Sequence, residues 1–140
     1  MIFLKFLPRT WAEINIDNLE HNYRVIRSML ADDVKYYAVV KADAYGHGAM
    51  YVIPEMQKFG VDGFAVSNIQ EAMQIRELGI ENDILILGYT PPELAKMLYD
   101  NNISQAVFDY YYAENLSKYA TENGVEIKAH IKIDTGMGRI

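Results

Sequence analysis

The chain has 140 residues, of which 51% are hydrophobic and 23% are charged, the composition of one globular domain rather than of a disordered segment. Its 13 lysines and arginines against 19 aspartates and glutamates give a net charge of −6, which argues against nucleic acid or an anionic membrane as its partner. The absence of cysteine excludes disulfides, thiolate zinc sites and a cysteine nucleophile, and it fits a reducing cytoplasm, where we expect the chain to reside.

The first predicted elements are a strand and a helix. Residues 11–16 alternate apolar and polar side chains, which is typical of a half-buried strand. Asp17 is a suitable helix cap. Apolar residues from Leu19 onward recur at helical spacing and predict an amphipathic helix to about Leu30.

A repeat of strands and helices follows. Apolar strands are predicted to start near Lys35, Gly63, Ile84, Ala106 and Lys128, at spacings of 28, 21, 22 and 22 residues. Helical patterns cover residues 49–59, 69–78, 91–101 and 110–123.

The boundaries of these helices have their own signals. Ser67 with Gln70 is predicted to form one capping box. The segment from Thr90 to Glu93 is predicted to form a second one, with proline at the first helical position. Gly79 and Gly124 are predicted to end helices in the left-handed conformation.

The alternation of elements predicts an α/β fold in which parallel strands are joined by right-handed crossovers and covered by helices. The period of about 22 residues favours a (β/α)8 barrel over a doubly wound sheet. Only five such strands are found, so the sequence predicts the first part of a barrel. Its unpaired edge strands would promote association with other chains.

Lys41 stands at the carboxyl end of the first strand of this repeat and is followed by a segment that contains Gly46 and Gly48. An ammonium group is costly to bury without a partner, and the carboxyl ends of barrel strands are where catalytic groups lie. Partial desolvation there favours the uncharged, nucleophilic amine that Schiff-base chemistry needs. The alternative interpretation is a lysine whose side chain extends from the strand end into water.

Four segments carry a family resemblance: residues 10–17 with Leu19 and Asn22, residues 39–48, residues 85–90 and residues 130–139. In this order they resemble motifs of the alanine racemases, two-domain barrel enzymes that use pyridoxal phosphate. The two most specific segments, around Lys41 and Arg139, lie about 90 residues apart. The resemblance covers residues 10–140.

The resemblance implies interconversion of L-alanine and D-alanine, which supplies D-alanine for cell-wall peptidoglycan. Lys41 is expected to bind pyridoxal 5′-phosphate covalently and to act as one of two catalytic bases. Tyr45 is expected to bind the cofactor phosphate, and Arg139 the phenolic oxygen of the cofactor and the substrate carboxylate. Lys132 is expected to be carbamylated and to orient Arg139.

The resemblance also implies a domain organisation. Residues 1–17 would form an N-terminal strand segment that packs with a C-terminal domain, and residues 18–140 would form a partial cofactor-binding barrel. The second base, a tyrosine from the partner subunit of a homodimer, and most phosphate contacts would lie outside this chain. We therefore expect the chain to be inactive by itself.

Other interpretations stay open. A racemase of serine or of several amino acids would share these motifs, and so would a non-catalytic module that binds the cofactor or a partner. The triplet that begins at Asp134 also occurs in aspartic proteases, but those are all-β proteins and the helical patterns argue against one. His21 and His130 lack metal-ligand spacing, so no metal site is predicted. His47 and the tyrosines at 110–112 are assigned structural roles.

Overall fold

The computed structural model describes residues 10–139. Helices α1 (Ile16–Arg27), α2 (Ala49–Phe59), α3 (Ile69–Glu77), α4 (Ala95–Asp100) and α5 (Tyr110–Glu122) alternate with strands β1 (Tyr37–Val39), β2 (Gly63–Val66), β3 (Asp83–Ile86), β4 (Ile103–Val107) and β5 (Ala129–Ile131). A short 3-10 helix (Pro92–Leu94) precedes α4, and a turn that we call the lysine turn (Lys41–Tyr45) follows β1. Among these elements, no helix is long and apolar enough to cross a membrane.

The five strands form one sheet in the order β1-β2-β3-β4-β5, and every neighbouring pair is parallel. Sequential order is the topology of a (β/α) barrel, whereas a doubly wound sheet reverses its strand order at a switch point. The predicted fold class, an α/β barrel present as its first five strands, is confirmed.

The strand starts lie within three residues of their predicted positions, and β4 differs most, since it begins at Ile103 rather than near Ala106. Ser104 and Gln105 interrupt the apolar pattern, yet both are buried. The side-chain amide of Gln105 donates to the carbonyl oxygens of Gly88 and Ala106, at 2.6 and 2.8 Å. These hydrogen bonds reduce the cost of burying a polar side chain in the strand.

The N-terminal segment differs from its prediction. Residues 11–15 form no strand, and Ile16 already belongs to α1, so the predicted boundary between residues 17 and 18 falls inside this helix. A strand needs a neighbour for its backbone groups, and none of the described strands pairs with this segment. The part before Thr10 lies outside the described residues. Asn15, rather than Asp17, caps α1 by accepting a hydrogen bond from the Asn18 N–H at 2.8 Å.

Two further helix starts are shifted from their predictions. Asn68, not Ser67, caps α3, and its side chain accepts from the N–H of Glu71 at 3.0 Å. The 3-10 helix begins after Pro91 and has no side-chain cap, so Thr90 does not have its predicted role. Thr90 is buried, and its carbonyl oxygen accepts a hydrogen bond from the Tyr112 hydroxyl at 2.9 Å. The helix ends are as predicted, since Gly79 and Gly124 have φ of +75° and +64°.

The sheet has two different faces. On one face, small and branched apolar side chains pack against the helices: Ala38, Val40, Phe64, Val66, Ile84 and Ile86, none more than 7% exposed. The other face carries Val39, Ala65, Leu85 and Ser104, which lie side by side in the strand register. Val39 is 44% exposed. This second face corresponds to the interior of a barrel and is open at the β1 end.

A polar cluster closes the amino end of this open face. Tyr37, Gly63 and Asp83 are neighbours in the register. The Tyr37 ring crosses Gly63, where an added Cβ would lie 2.5 Å from the ring. The Tyr37 hydroxyl and the Lys35 amine each donate to Asp83 Oδ2 at 3.0 Å. Burial, followed by the hydrogen bond to Asp83, raises the pKa of Tyr37 to about 12.

The cluster predicts an acid-sensitive contribution to stability. The hydrogen bond from Lys35 lowers the pKa of Asp83 below 3.8, against the opposing effect of partial burial. A lowered carboxyl pKa in the folded state stabilises the fold above the unfolded-state value, and this contribution is lost as pH falls through the folded-state pKa. Asp83→Asn should therefore lower the free energy of unfolding at pH 6, and the difference from wild type should shrink below pH 3.8. Urea unfolding of both proteins at pH values from about 2.5 to 7 measures this difference in the free energy of unfolding. A difference that does not change with pH would contradict the prediction.

Candidate functional site

The candidate site lies at the carboxyl end of β1, where Lys41 follows the buried Val40 directly. Lys41 is half-buried, and no ion pair holds its amine within residues 10–139. Its Nζ lies 5.9 Å from the ring centroid of Tyr45, near the outer limit of a cation–π contact. The structure therefore brings these two predicted site residues together.

The lysine turn has an unusual backbone. Ala42, Asp43, Ala44 and Tyr45 have φ between 50° and 55°, so four consecutive residues with side chains adopt the left-handed conformation. That conformation costs roughly 1–2 kcal/mol for each residue other than glycine. Backbone strain of this kind persists only where the surroundings impose it, and it is concentrated at functional sites.

Hydrogen bonds from two sides stabilise the turn. The Ala44 N–H donates to the Val40 carbonyl at 2.9 Å, and Nδ1 of His47 lies 2.8 Å from the Ala44 carbonyl oxygen. Asp43 Oδ1 accepts from the Ala49 N–H at 2.7 Å, which ties the turn to the first residue of α2. His47 thus has the structural role that the sequence predicted for it.

Glu71, in the first turn of α3, makes the contact that reaches the residue next to Lys41. Its Oε1 accepts from the Ala42 N–H at 2.9 Å, and its Oε2 accepts from the N–H and hydroxyl of Ser67 at 2.8 and 2.7 Å. Burial by itself would raise the pKa of Glu71, but the hydrogen bonds from Ser67 and Ala42 and the charge on Lys41 together lower it. The carboxylate is therefore ionised at neutral pH.

Tyr45 is 62% exposed, and its ring flanks the Lys41 amine. A phenolic hydroxyl can donate a hydrogen bond to an anionic group.

Lys132 and Arg139 lie farther along the chain. The Lys132 N–H donates to the Val107 carbonyl at 2.8 Å and so extends the pairing of β5 with β4. Arg139 is exposed, whereas Lys132 is partly buried. Within residues 10–139, no hydrogen bond or ion pair joins them to each other or to Lys41.

Asp134 shapes the loop that leads to Arg139. Its carboxylate accepts from the N–H groups of Gly138, at 3.1 Å, and Gly136, at 2.9 Å. These two hydrogen bonds lower the pKa of Asp134. Asp134 therefore stabilises a glycine-containing loop.

The remaining candidates from the sequence are the tyrosines at 110–112 and possible metal ligands. Tyr112 is buried against Thr90, whereas Tyr110 and Tyr111 are 73% and 76% exposed. Burial raises the pKa of Tyr112 to about 12. Across the described part of the chain, no three histidine, aspartate or glutamate side chains are arranged to hold a metal ion.

Sequence reasoning missed Glu71 and the role of Asp43. A signal for Glu71 was present, because it follows the capping residue Asn68 by three residues, which is the spacing of a capping box. That box was assigned one residue too early, at Ser67 and Gln70. Nothing in the local sequence indicates that the second oxygen of Glu71 reaches the neighbouring turn.

Comparisons with known proteins show which proteins this chain resembles. A family model described as the N-terminal domain of alanine racemase matches residues 14–140. Alanine racemase 1 of Caldanaerobacter subterraneus subsp. tengcongensis is 45% identical over 131 residues, which are 94% of this chain and 34% of that protein. An alanine racemase of Clostridium novyi is 45% identical over 136 residues, 97% of this chain and 35% of the relative. An amino-acid racemase of Enterococcus faecalis is also 45% identical, over 94% of this chain and 18% of its own length.

Solved structures give the same result. An alanine racemase of Clostridium difficile 630 superposes with a TM-score of 0.87 at 41% identity, over 96% of this chain and 36% of that one. The Bacillus anthracis alanine racemase with bound L-Ala-P superposes with a TM-score of 0.87 at 33% identity, over 96% of this chain and 35% of that one. This chain spans about a third of the length of the alanine racemases that it matches.

Proposed function

Since this chain belongs to the alanine racemase family, we propose that it provides the cofactor lysine and part of the substrate site of an enzyme that interconverts L-alanine and D-alanine. The observation that carries the proposal is Lys41, a half-buried amine at a strand terminus, held by a strained left-handed turn. The enzyme would be a homodimer of the cytoplasm and would supply D-alanine for cell-wall peptidoglycan.

The residues present fit pyridoxal 5′-phosphate. Lys41 offers a primary amine that no carboxylate pairs with in the described part of the chain. The ring of Tyr45, a residue that is largely exposed, lies 5.9 Å from this amine. When bound, the cofactor would act as the electron sink that makes the Cα proton of alanine acidic.

Each side chain has a proposed task. Lys41 Nζ holds the cofactor and moves the Cα proton on one face of the substrate, and the Tyr45 hydroxyl donates to the phosphate. The planar guanidinium of Arg139 suits two-point binding of the substrate carboxylate, and its charge suits the phenolic oxygen of the cofactor. Lys132, when carbamylated, is an anion that can orient Arg139.

The domain assignment remains part of this proposal. Residues 18–140 would be the first portion of the cofactor-binding barrel, and residues 1–17 would pack with a C-terminal domain. The base for the opposite face and most phosphate contacts would come from outside this chain. The chain by itself is therefore expected to be inactive.

A chimera tests the function. In it, this chain replaces the matching 136-residue segment of the Clostridium novyi relative. We expect the chimera to convert L-alanine to D-alanine and the 140-residue chain to convert none, as measured by chiral chromatography. A folded chimera that binds pyridoxal phosphate without racemising any amino acid would favour a non-catalytic binding module.

The substrate range is tested with the same chimera. The amino-acid racemase of Enterococcus faecalis is as similar to this chain as the alanine racemases are, which favours a broader or serine-directed racemase as the second candidate. We expect a higher kcat/KM for alanine than for serine or histidine. A reversed order in the chimera, with the parent relative as control, would support the second candidate.

A further inference from the structure

The N–H group of Ala42, the residue directly after Lys41, donates to a side chain of another element, helix α3. In the lysine turn and directly after it, the N–H groups of Ala44 and Gly46 donate to the backbone carbonyls of Val40 and Ala42, at 2.9 and 3.2 Å. The Ala42 N–H instead donates to Glu71 Oε1 at 2.9 Å. The first residue of a strained turn is thus held by a side chain of α3.

Helix capping accounts for only part of the contacts of Glu71. In a capping box, the acidic side chain accepts from the N–H of the capping residue. Here Oε2 accepts instead from the N–H and hydroxyl of Ser67, the residue before the cap Asn68. Oε1 takes no part in these hydrogen bonds. It accepts from the N–H of Ala42, in the turn that follows β1. One carboxylate therefore joins two neighbouring βα connections at the carboxyl edge of the sheet.

We propose that Glu71 is a positioning residue for Lys41, because its carboxylate fixes the first N–H of the left-handed turn and thereby the direction in which the lysine leaves β1. Without this acceptor, the Ala42 N–H loses a charge-assisted hydrogen bond. The turn then relaxes toward right-handed conformations that alanine and aspartate favour. This inference rests on the proposed function in that it assigns the positioned amine to the cofactor.

Four variants separate positioning from helix capping. Glu71→Ala removes both sets of hydrogen bonds, and Glu71→Gln keeps one oxygen for the Ala42 N–H. Asn68→Ala removes the side-chain cap of α3 but leaves the contact between Glu71 and Ala42. Glu77→Ala removes the same charge from the exposed end of this helix and is the control for charge.

Two readouts are taken on the chimera with the Clostridium novyi relative. The first is amide hydrogen exchange of residues 42–46. The second is the yield of borohydride-fixed pyridoxal phosphate on the Lys41 peptide relative to that on exposed Lys118, measured by mass spectrometry. Lys118 lies on α5 and serves as an internal reference for lysine reactivity.

Glu71→Ala should accelerate exchange of residues 42–46 by about tenfold or more, the size expected for loss of a charge-assisted hydrogen bond. It should also lower the Lys41 to Lys118 ratio several-fold. Glu71→Gln should lie between wild type and Glu71→Ala, and Glu77→Ala should match wild type. Asn68→Ala should accelerate exchange in α3 and leave residues 42–46 and the labelling ratio near wild type.

Unchanged exchange and labelling in Glu71→Ala would overturn the proposal, and so would an equal loss in Asn68→Ala. If Glu71→Ala unfolds, exchange rises in α5 as well, and the comparison of Glu71→Gln with Asn68→Ala decides in its place. An unsubstituted chimera that labels Lys41 no faster than Lys118 would instead reject the cofactor assignment. The exchange data would still decide whether Glu71 holds the turn.

Discussion

Lys41→Ala is expected to lower racemisation of alanine by the chimera at least about 10³-fold, because it removes the cofactor attachment point and one catalytic base together. The fold should tolerate the change. Lys41 is half-buried and has no ion-pair partner among the described residues. The free energy of unfolding should therefore change by no more than about 0.5 kcal/mol.

The matched control is Lys118→Ala, which removes the same side chain from an exposed position on α5. It should retain the full kcat and KM of the chimera. Steady-state kinetics and urea unfolding of both variants make the comparison. Racemisation by Lys41→Ala within tenfold of the unmutated chimera (about 1.4 kcal/mol in activation free energy) would remove Lys41 from its proposed role.

Gly88→Ala is expected to destabilise the fold by about 3 kcal/mol, the upper part of the range for overpacking a rigid site. A Cβ at Gly88 would overlap the backbone carbonyl oxygen of Ser67. The Gly88 carbonyl is also fixed, because it accepts from the Gln105 amide at 2.6 Å. Neither backbone can move without disturbing the pairing of β2 with β3 or the contacts of Ser67 with Glu71.

Gly79→Ala provides the comparison for this prediction. Gly79 has φ of +75° and nothing within 4 Å of an added Cβ, so alanine there costs only the left-handed conformation, roughly 1–2 kcal/mol. Urea unfolding should rank Gly88→Ala as the more damaging variant. If Gly79→Ala were the more damaging of the two, the close approach of Gly88 to Ser67 would not limit stability.

Much of the fold follows from patterns that are local in the sequence. Buried strands such as β3 and amphipathic helices such as α5 differ in length and periodicity, and these features predict the alternation of elements. The predicted strand at residues 11–16 did not form. Alternating apolar and polar side chains show that one face of a segment can be buried, but a strand also needs a neighbouring strand for its backbone hydrogen bonds. The start of β4 was missed because Gln105 is polar and yet buried, with its side-chain N–H groups bonded to backbone carbonyl oxygens.

The site was predictable in part. The position of Lys41 at a strand terminus followed from the apolar run before it, and the resemblance to the family pointed to Tyr45. The left-handed turn could not be predicted, since alanine and aspartate disfavour that conformation and only tertiary contacts impose it. The contact between Glu71 and Ala42 joins residues 29 positions apart and depends on the register of β1 against β2.

The most direct test of the central claim is the location of the cofactor. The chimera would be loaded with pyridoxal phosphate, reduced with borohydride, digested and analysed by mass spectrometry. We predict one modified peptide, the one that contains Lys41, and no modified peptide in the Lys41→Ala variant. Modification of another lysine in the unmutated chimera, or of none while the chimera racemises alanine, would contradict the assignment of Lys41 as the cofactor lysine.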